Sequence, residues 1–287
     1  KSIGVEPCKN LARITKKNNY RTFSEFWNCK LARKIIKFGK ADVIYSANTL
    51  SHIKDLNEIF RAINIVLNED GVLIIEDPSL LECLKSVAYD QFYCEHIYVF
   101  SSLALKNVLQ NFNLIIFNIE NTKTHGGSNR YYIKKSSSKK NKINSSVNNE
   151  INKEIKFGLK KFSTYKKFEK KVSISKIKLV NIIKRLKNRN FTIIGYGATA
   201  KSCTVLNYSK IGTKLIDYFY DTTPNKINKY LPGSKIKVKK YKELNKKNVD
   251  FAYLGAWNFK KEIFKKEKKF LLNGGKFITH VPYPKII

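Results

Sequence analysis

Phe191-Thr-Ile-Ile-Gly-Tyr-Gly-Ala-Thr-Ala-Lys201 decides the fold class of this chain. The β-branched run Phe191–Ile194 reads as a buried strand, and the residues from Ala200 onward continue as a helix. Between them lies G-x-G-x-x-A, in which glycines let backbone come close to a ligand or a neighbouring strand and the helix N-terminus faces the turn. Leu215–Tyr220 reads as the next strand, with Asp221 at its end. Read on these residues alone, Gly195, Gly197 and Asp221 predict a dinucleotide site, Lys201 adds a phosphate partner, and the protein would be an NAD-linked oxidoreductase.

Outward from that segment the same alternation continues. Phe251–Leu254, followed by Gly255-Ala-Trp-Asn258, and Lys276–His280 read as further strands. Toward the amino terminus, Ser2–Val5 reads as a strand, Pro7–Lys17 and Asn28–Phe38 as helices, and Asp42–Ser46 as a buried strand. Leu56–Leu67 is helical, with Leu56, Ile59, Phe60, Ile63 and Leu67 spaced by three and four. Asn68–Gly71 is a turn before the strand Val72–Ile75, and Leu114–Ile119 pairs with Arg130–Ile133 across His125-Gly-Gly127. Lys134–Asn149 holds Ser, Lys and Asn with little to bury and is expected to be a mobile surface loop. Glu150–Lys187 has helical spacing (Ile151, Ile155, Leu159, Phe162; then Ile177, Val180, Ile183, Leu186) amid dense Lys, which predicts solvated linker helices. The expected architecture is α/β: two Rossmann-like units, 1–133 and 189–287, joined by a basic loop and helices over 134–188.

The 287 residues carry a formal charge of +34 and 43% hydrophobic residues, enough apolar content to exclude a disordered chain. Lys is spread along the whole length with Asn and Ile, as a low-GC genome imposes. No helix-turn-helix, zinc-finger or RNA-recognition signature focuses the charge, so no specific nucleic-acid partner is expected, although a basic scaffold for an anionic polymer remains a competing class. No run approaches the ~20 apolar residues that span a bilayer. The five Cys form no C-x-x-C pair and have no metal-like spacing with His, which predicts reduced thiols, a cytoplasmic location and no metal. There is no Met and residue 1 is Lys, so the chain is expected to be a fragment that opens on a strand already in progress.

Four groups of residues stand where chemistry is done in such folds. Glu6 ends the first strand, where an acid accepts hydrogen bonds from ribose hydroxyls. Ser46–His52 follows a parallel strand's carboxyl end and brings Asn48 and His52 to the ligand crevice. Tyr93, Glu95 and His96 fall within four residues: an imidazole to take a proton, a phenol to bond a developing enolate oxygen, and a carboxylate to orient the ring. The glycine turn at 195–200 is the fourth.

In order along the chain, Gly4-Val-Glu-Pro7, Ala47-Asn-Thr-Leu-Ser-His52, Gly71–Pro78, Asp90-Gln-Phe-Tyr-Cys-Glu-His96, His125-Gly-Gly127, Gly195-Tyr-Gly-Ala-Thr-Ala-Lys201, Tyr220–Lys226 and Ala256-Trp-Asn258 resemble the sugar C-methyltransferase family. That resemblance implies S-adenosylmethionine as methyl donor and a carbon alpha to the ketone of a nucleotide-linked deoxysugar, typically dTDP-linked, as acceptor. It implies His96 as base with Tyr93, Glu95 and His52 around it, and Glu6 and Asn48 beside the cofactor. The carboxy-terminal unit would bind the nucleotide sugar and no NAD, which assigns Gly195, Gly197, Thr199, Lys201, Asp221, Asn258 and His125 to the substrate. The family begins with a zinc module, a strand and a glycine-rich cofactor loop that have no counterpart in this sequence. On that ground the chain alone is expected to bind S-adenosylmethionine poorly and to be nearly inactive.

Overall fold

A computed structural model describes residues 2–287. In chain order the elements are β1 (Ile3–Val5), α1 (Lys9–Lys17), β2 (Arg21–Phe23), α2 (Cys29–Ile35), β3 (Ala41–Ala47), α3 (Leu56–Val66), β4 (Leu67–Pro78), α4 (Leu80–Lys85), α5 (Ser102–Gln110), β5 (Leu114–Thr122) and β6 (Ser128–Lys135). There follow α6 (Ser145–Phe157), α7 (Phe162–Lys187), β7 (Ile193–Tyr196), α8 (Ala200–Tyr208), β8 (Phe219–Asp221), β9 (Val238–Lys240), β10 (Phe251–Leu254), α9 (Lys260–Lys266), α10 (Lys268–Leu272), β11 (Lys276–Thr279) and β12 (Lys285–Ile286). They form two units. The first comprises residues 1–77, 100–122 and 128–154, and the second 78–99, 123–127 and 155–287.

The first unit holds two sheets, the parallel pair β1-β2 and a second in the order β3-β4-β6-β5. Helices α2, α3 and α5 start on side-chain caps: Asn28 accepts from Leu31 N, Asp55 from Glu58 N and Ser101 from Ala104 N. The turn expected at Asn68–Gly71 is an excursion inside β4, because Ala41 pairs with Leu67 and Val43 with Val72. The antiparallel pair across His125–Gly127 is β5 with β6, as its alternation and glycines indicate.

The loop expected over 134–149 is narrower, covering residues 136–144 between β6 and α6. Lys134 and Lys135 belong to β6, and Nζ of Lys134 donates to the carbonyls of Ser138 and Lys140 at 2.8 and 2.7 Å. Ser138 Oγ bonds Asp70 Oδ1 at 2.8 Å, and α6 already begins at Ser145. Nor is α6 a solvated linker. Glu154 is fully buried and takes the N–H groups of Ser102 and Leu103 at 2.6 and 2.9 Å, so its carboxylate caps α5.

The second unit is a six-stranded sheet in the order β12-β11-β10-β7-β8-β9, parallel except for β12. Successive residues feed opposite faces. Ile193, Tyr253 and Ile278 pack on one side with Val172, Leu179, Ile183 and Leu186 of α7, while Ile194, Ala252 and Phe277 pack on the other with Ile263 and Phe270. Burial on both faces is the reason these strands read as continuous apolar runs. It also shows that α7 is a core helix of this unit. Of the residues expected to share its face, Ile183 and Leu186 are buried and Ile177 is exposed.

Candidate active site

In the second unit, the Tyr89–Gln91 turn leads into a loop holding the Tyr93, Glu95 and His96 group. Nδ1 of His96 lies 2.7 Å from the main-chain oxygen of Gln91, and Nε2 lies 2.8 Å from the Tyr93 hydroxyl. A carbonyl oxygen only accepts, so the first bond requires the proton on Nδ1. In the neutral ring Nε2 then carries the lone pair, and the phenol donates to it. The ring is thus oriented by a backbone carbonyl, where the sequence pointed to a carboxylate. Glu95 is exposed. Burial, then the charges of Glu95 and Asp90, push the Tyr93 phenol up to about 12, so it stays a donor across neutral pH.

Asp90, beside this group, is a residue whose role sequence reasoning missed. It is fully buried and accepts from Trp257 Nε1 at 2.6 Å, with His280 Nε2 3.5 Å away. Burial alone would raise it, but His280, the Trp257 N–H and the Lys201 charge hold its carboxyl below the usual range. Lys201 is itself buried, its Nζ makes no hydrogen bond, and it lies 5.5 Å from the Trp257 ring. Burial lowers its ammonium against the opposing pull of Asp90 and Cys83. The Gln91 side chain donates to the His125 carbonyl at 2.6 Å, and a Cβ on Gly126 would overlap the Trp257 ring. Asn258 is half-buried in the same turn as Trp257. Asp90 and Trp257 both lie inside segments that carry the family resemblance; their pairing spans 167 residues and leaves no local pattern.

The glycine turn has other work than holding a pyrophosphate. A Cβ on Gly195 would overlap the Phe219 ring, and Gly197, at φ +88°, lies against Ala256. Thr199 caps α8 by accepting from Ser202 N at 3.1 Å. Both Asp221 carboxylate oxygens are engaged, Oδ2 by Ala198 N at 2.8 Å and Oδ1 by Thr223 N at 2.7 Å. The acid expected to hold a ribose therefore clamps its own loop, which removes the main support for the NAD-linked reading.

In the first unit a cavity of about 1880 Å³ opens beside the ends of β1 and β3, lined by Val5, Pro7, Ser46, Ala47, Thr49 and His52 among others. Glu6 and Asn48 are sequence neighbours of these lining residues. Glu6 Oε1 accepts from Cys8 N at 2.7 Å. Asn48, at φ +51°, donates its N–H to the Glu76 carbonyl at 2.7 Å, and its Oδ1 is buried without a hydrogen bond. That orphaned acceptor, with a carboxylate and a roomy cavity nearby, fits a cofactor rich in hydrogen-bond donors. His52 stands in this unit and His96 in the other. Among the described residues no group of His, Cys, Asp and Glu is placed to hold a metal ion, and no helix is long and apolar enough to cross a membrane.

Fold and site together define an α/β protein whose His96 imidazole is held between a backbone carbonyl and a phenol. The chain belongs to the C-methyltransferase family: residues 123–282, more than half of it, match the C-methyltransferase C-terminal domain, and residues 1–117 match a methyltransferase domain. It is 28% identical to C-methyltransferase NovU of Streptomyces niveus over 286 residues, 99% of this chain and 68% of that protein. As a member it is an S-adenosylmethionine-dependent enzyme, and the oxidoreductase and scaffold alternatives fall. Among solved structures it is similar to a SAM-dependent methyltransferase from Anabaena variabilis ATCC 29413 (15% identity, 46% of this chain, 67% of that one, TM-score 0.36). It is also similar to the O-methyltransferase from a trans-AT PKS multienzyme of Brevibacillus brevis in complex with S-adenosyl-L-homocysteine (16%, 53% and 69%, TM-score 0.34). Scores this low leave the family match and the site geometry to carry the argument.

Proposed function

We propose that this chain methylates a carbon alpha to the ketone of a nucleotide-linked deoxysugar, dTDP being the expected nucleotide, with His96 as the base. The observation that carries the reading is the arrangement of His96, whose Nδ1 is held by the Gln91 carbonyl while Nε2 faces the Tyr93 hydroxyl. A ketone acidifies its neighbouring C–H, and an Nε2 lone pair can accept that proton at neutral pH. Tyr93, kept protonated by its surroundings, then turns its hydroxyl to the enolate oxygen, which frees Nε2 for the proton.

S-adenosylmethionine supplies an electrophilic methyl group when bound; Glu6 and Asn48 would hold it, with His52 on the same unit. Asn258, His125, Thr199, Lys201 and Asp221, with the backbone at Gly195 and Gly197, are assigned to building the nucleotide-sugar site. For Gly195, Thr199 and Asp221 that role is to shape the loop, since their space or polar atoms are already used within the protein. A soluble location in the cytoplasm accords with five unpaired thiols.

The test is hydrogen exchange at the sugar. Incubated in D₂O with a dTDP-linked keto-deoxysugar, the protein takes deuterium into the alpha position without any methyl donor, and His96→Ala does not. Exchange that persists in His96→Ala, or that wild type never shows, overturns the reading. Transfer of label from methyl-labelled S-adenosylmethionine to the same carbon then identifies the reaction.

A further inference from the structure

We propose that Asp90 is a positioning residue for His96, acting through the Gln91 carbonyl and locked in place by Trp257. The proposal rests on His96 being the base, and it names the device that gives that base its tautomer.

Asp90 and Gln91 are adjacent, and their side chains are tied to different segments. Asp90 takes the Trp257 N–H at 2.6 Å, and Gln91 donates to the His125 carbonyl at 2.6 Å. Between those two ties the Gln91 carbonyl is left pointing at His96 Nδ1, 2.7 Å away. The Gln91 carbonyl belongs to the planar Gln91–Phe92 peptide, whose N–H donates to the Tyr89 carbonyl at 3.2 Å, so the Tyr89–Gln91 turn that the two side chains anchor leaves that carbonyl little freedom to turn. If it turned, the Nδ1 proton would lose the acceptor that stands 2.7 Å away, and the neutral ring could place it on Nε2, where it blocks the base.

Trp257 is in turn held on several sides. Its ring lies where a Cβ on Gly126 would be, and Lys201 Nζ stands 5.5 Å from it. At the same Asp90 oxygen, Oδ2, His280 Nε2 is 3.5 Å away, and its Nδ1 bonds the Tyr253 hydroxyl at 3.1 Å. Asp90, His280 and Tyr253 are all fully buried. A buried carboxylate beside a buried ammonium and imidazole is a costly way to stabilise a fold, since apolar residues of the same volume often do as well. Its return here is geometric. Four segments far apart in sequence, 89–91, 125–126, 201 and 257, are brought to one point, and the base hangs from the first of them.

The test reads the tautomer directly. Nitrogen NMR of the ¹⁵N-histidine-labelled 287-residue chain, with the His96 signal identified by His96→Gln, is expected to show Nδ1 protonated and Nε2 bare. Asp90→Asn keeps the shape and loses the charge. Trp257→Phe keeps the ring against Gly126 and loses the donor. In both, the ratio of the two tautomers is expected to shift at least about fivefold toward protonated Nε2, and alpha-hydrogen exchange to slow about tenfold, with KM for the sugar nucleotide changed less than about threefold. The double variant should lose no more than the single ones, because one pair is removed in each. An Nε2-protonated ring in wild type, or a tautomer ratio unmoved in folded Trp257→Phe, overturns the proposal whatever the exchange assay shows. Conversely, exchange that does not need His96 sinks the reaction while the tautomer result stands on its own.

Discussion

The Tyr93 hydroxyl oxygen lies 2.8 Å from Nε2 of His96, on the ring nitrogen opposite the one held by the Gln91 carbonyl. The two rings sit 4.1 Å apart between centroids, so neither can shift without the other. Their contributions separate by substitution. His96→Ala is expected to slow deuterium uptake at the sugar about 10³-fold, within the range of a lost general base. Tyr93→Phe keeps the imidazole and loses the phenolic donor, and under the proposed mechanism is expected to slow uptake about 10²-fold. Because the phenol titrates near 12, the wild-type rate should show no fall from phenol ionisation below about pH 11. A fall centred near pH 10 that Tyr93→Phe abolishes would contradict this.

Asp77 makes the stability of the first unit depend on pH. It is fully buried, Oδ1 accepts from Ser51 N at 3.3 Å, and Oδ2 makes no hydrogen bond. Burial, only partly offset by Ser51, pushes its carboxyl up to about 6. Between about pH 4 and 6 the folded carboxyl keeps a proton that the unfolded chain releases, so the folded state binds more protons there. Its contribution is fully present below about pH 4 and is lost as pH rises through 6. Asp77→Asn removes that dependence. Between pH 4 and 7, wild type is expected to lose up to about 3 kcal/mol relative to the variant, measured by urea unfolding at both values. Parallel curves for the two proteins would refute it.

Two main-chain N–H groups of α5 depend on the Glu154 carboxylate in the first unit. Glu154→Ala leaves the buried Ser102 N–H and the partly buried Leu103 N–H unpaired and is expected to cost about 2–4 kcal/mol. For a chain of this size that is a fall of several degrees in Tm by thermal unfolding. Glu154→Gln keeps one acceptor and should recover about half of the loss. A Tm within a degree of wild type for Glu154→Ala would show that α5 is capped in another way.

The same contact shows why part of the fold was illegible in the sequence. Phe251–Leu254 is read correctly because four apolar residues in a row are the direct imprint of a strand buried on both faces. Glu150 and Glu154 carry no such imprint. Amid Lys and Asn they look solvated, and pairing of Glu150 with Asn129 and Lys153, and of Glu154 with the α5 N-terminus, offsets the cost of their burial. At Gly195 and Gly197 the pattern is legible and its cause is not, since the missing side chains make room for Phe219 and Ala256. Tyr93 and His96 are three apart and visible as a group, whereas the Gln91 carbonyl that orients the ring has no side chain to read.

Strand β3 carries the last prediction. It pairs on one side with β4 and forms the edge of its sheet among the described residues. Val43 and Tyr45, two apart and so on one face, are 58% and 60% exposed. Neither Lys nor Pro falls within Val43–Ala47 to blunt the edge, which leaves open N–H and C=O groups beside apolar side chains as a template for another strand. The charge of +34 opposes such pairing at low salt and is screened over about 8 Å at physiological salt. Self-association measured by light scattering is therefore expected to rise with salt, against the trend for an attraction between opposite charges. Val43→Lys and Tyr45→Lys should suppress it while changing stability by less than about 0.5 kcal/mol, because both side chains already face water. If those variants associate as wild type does at the same salt, the edge of β3 is not where the chains meet.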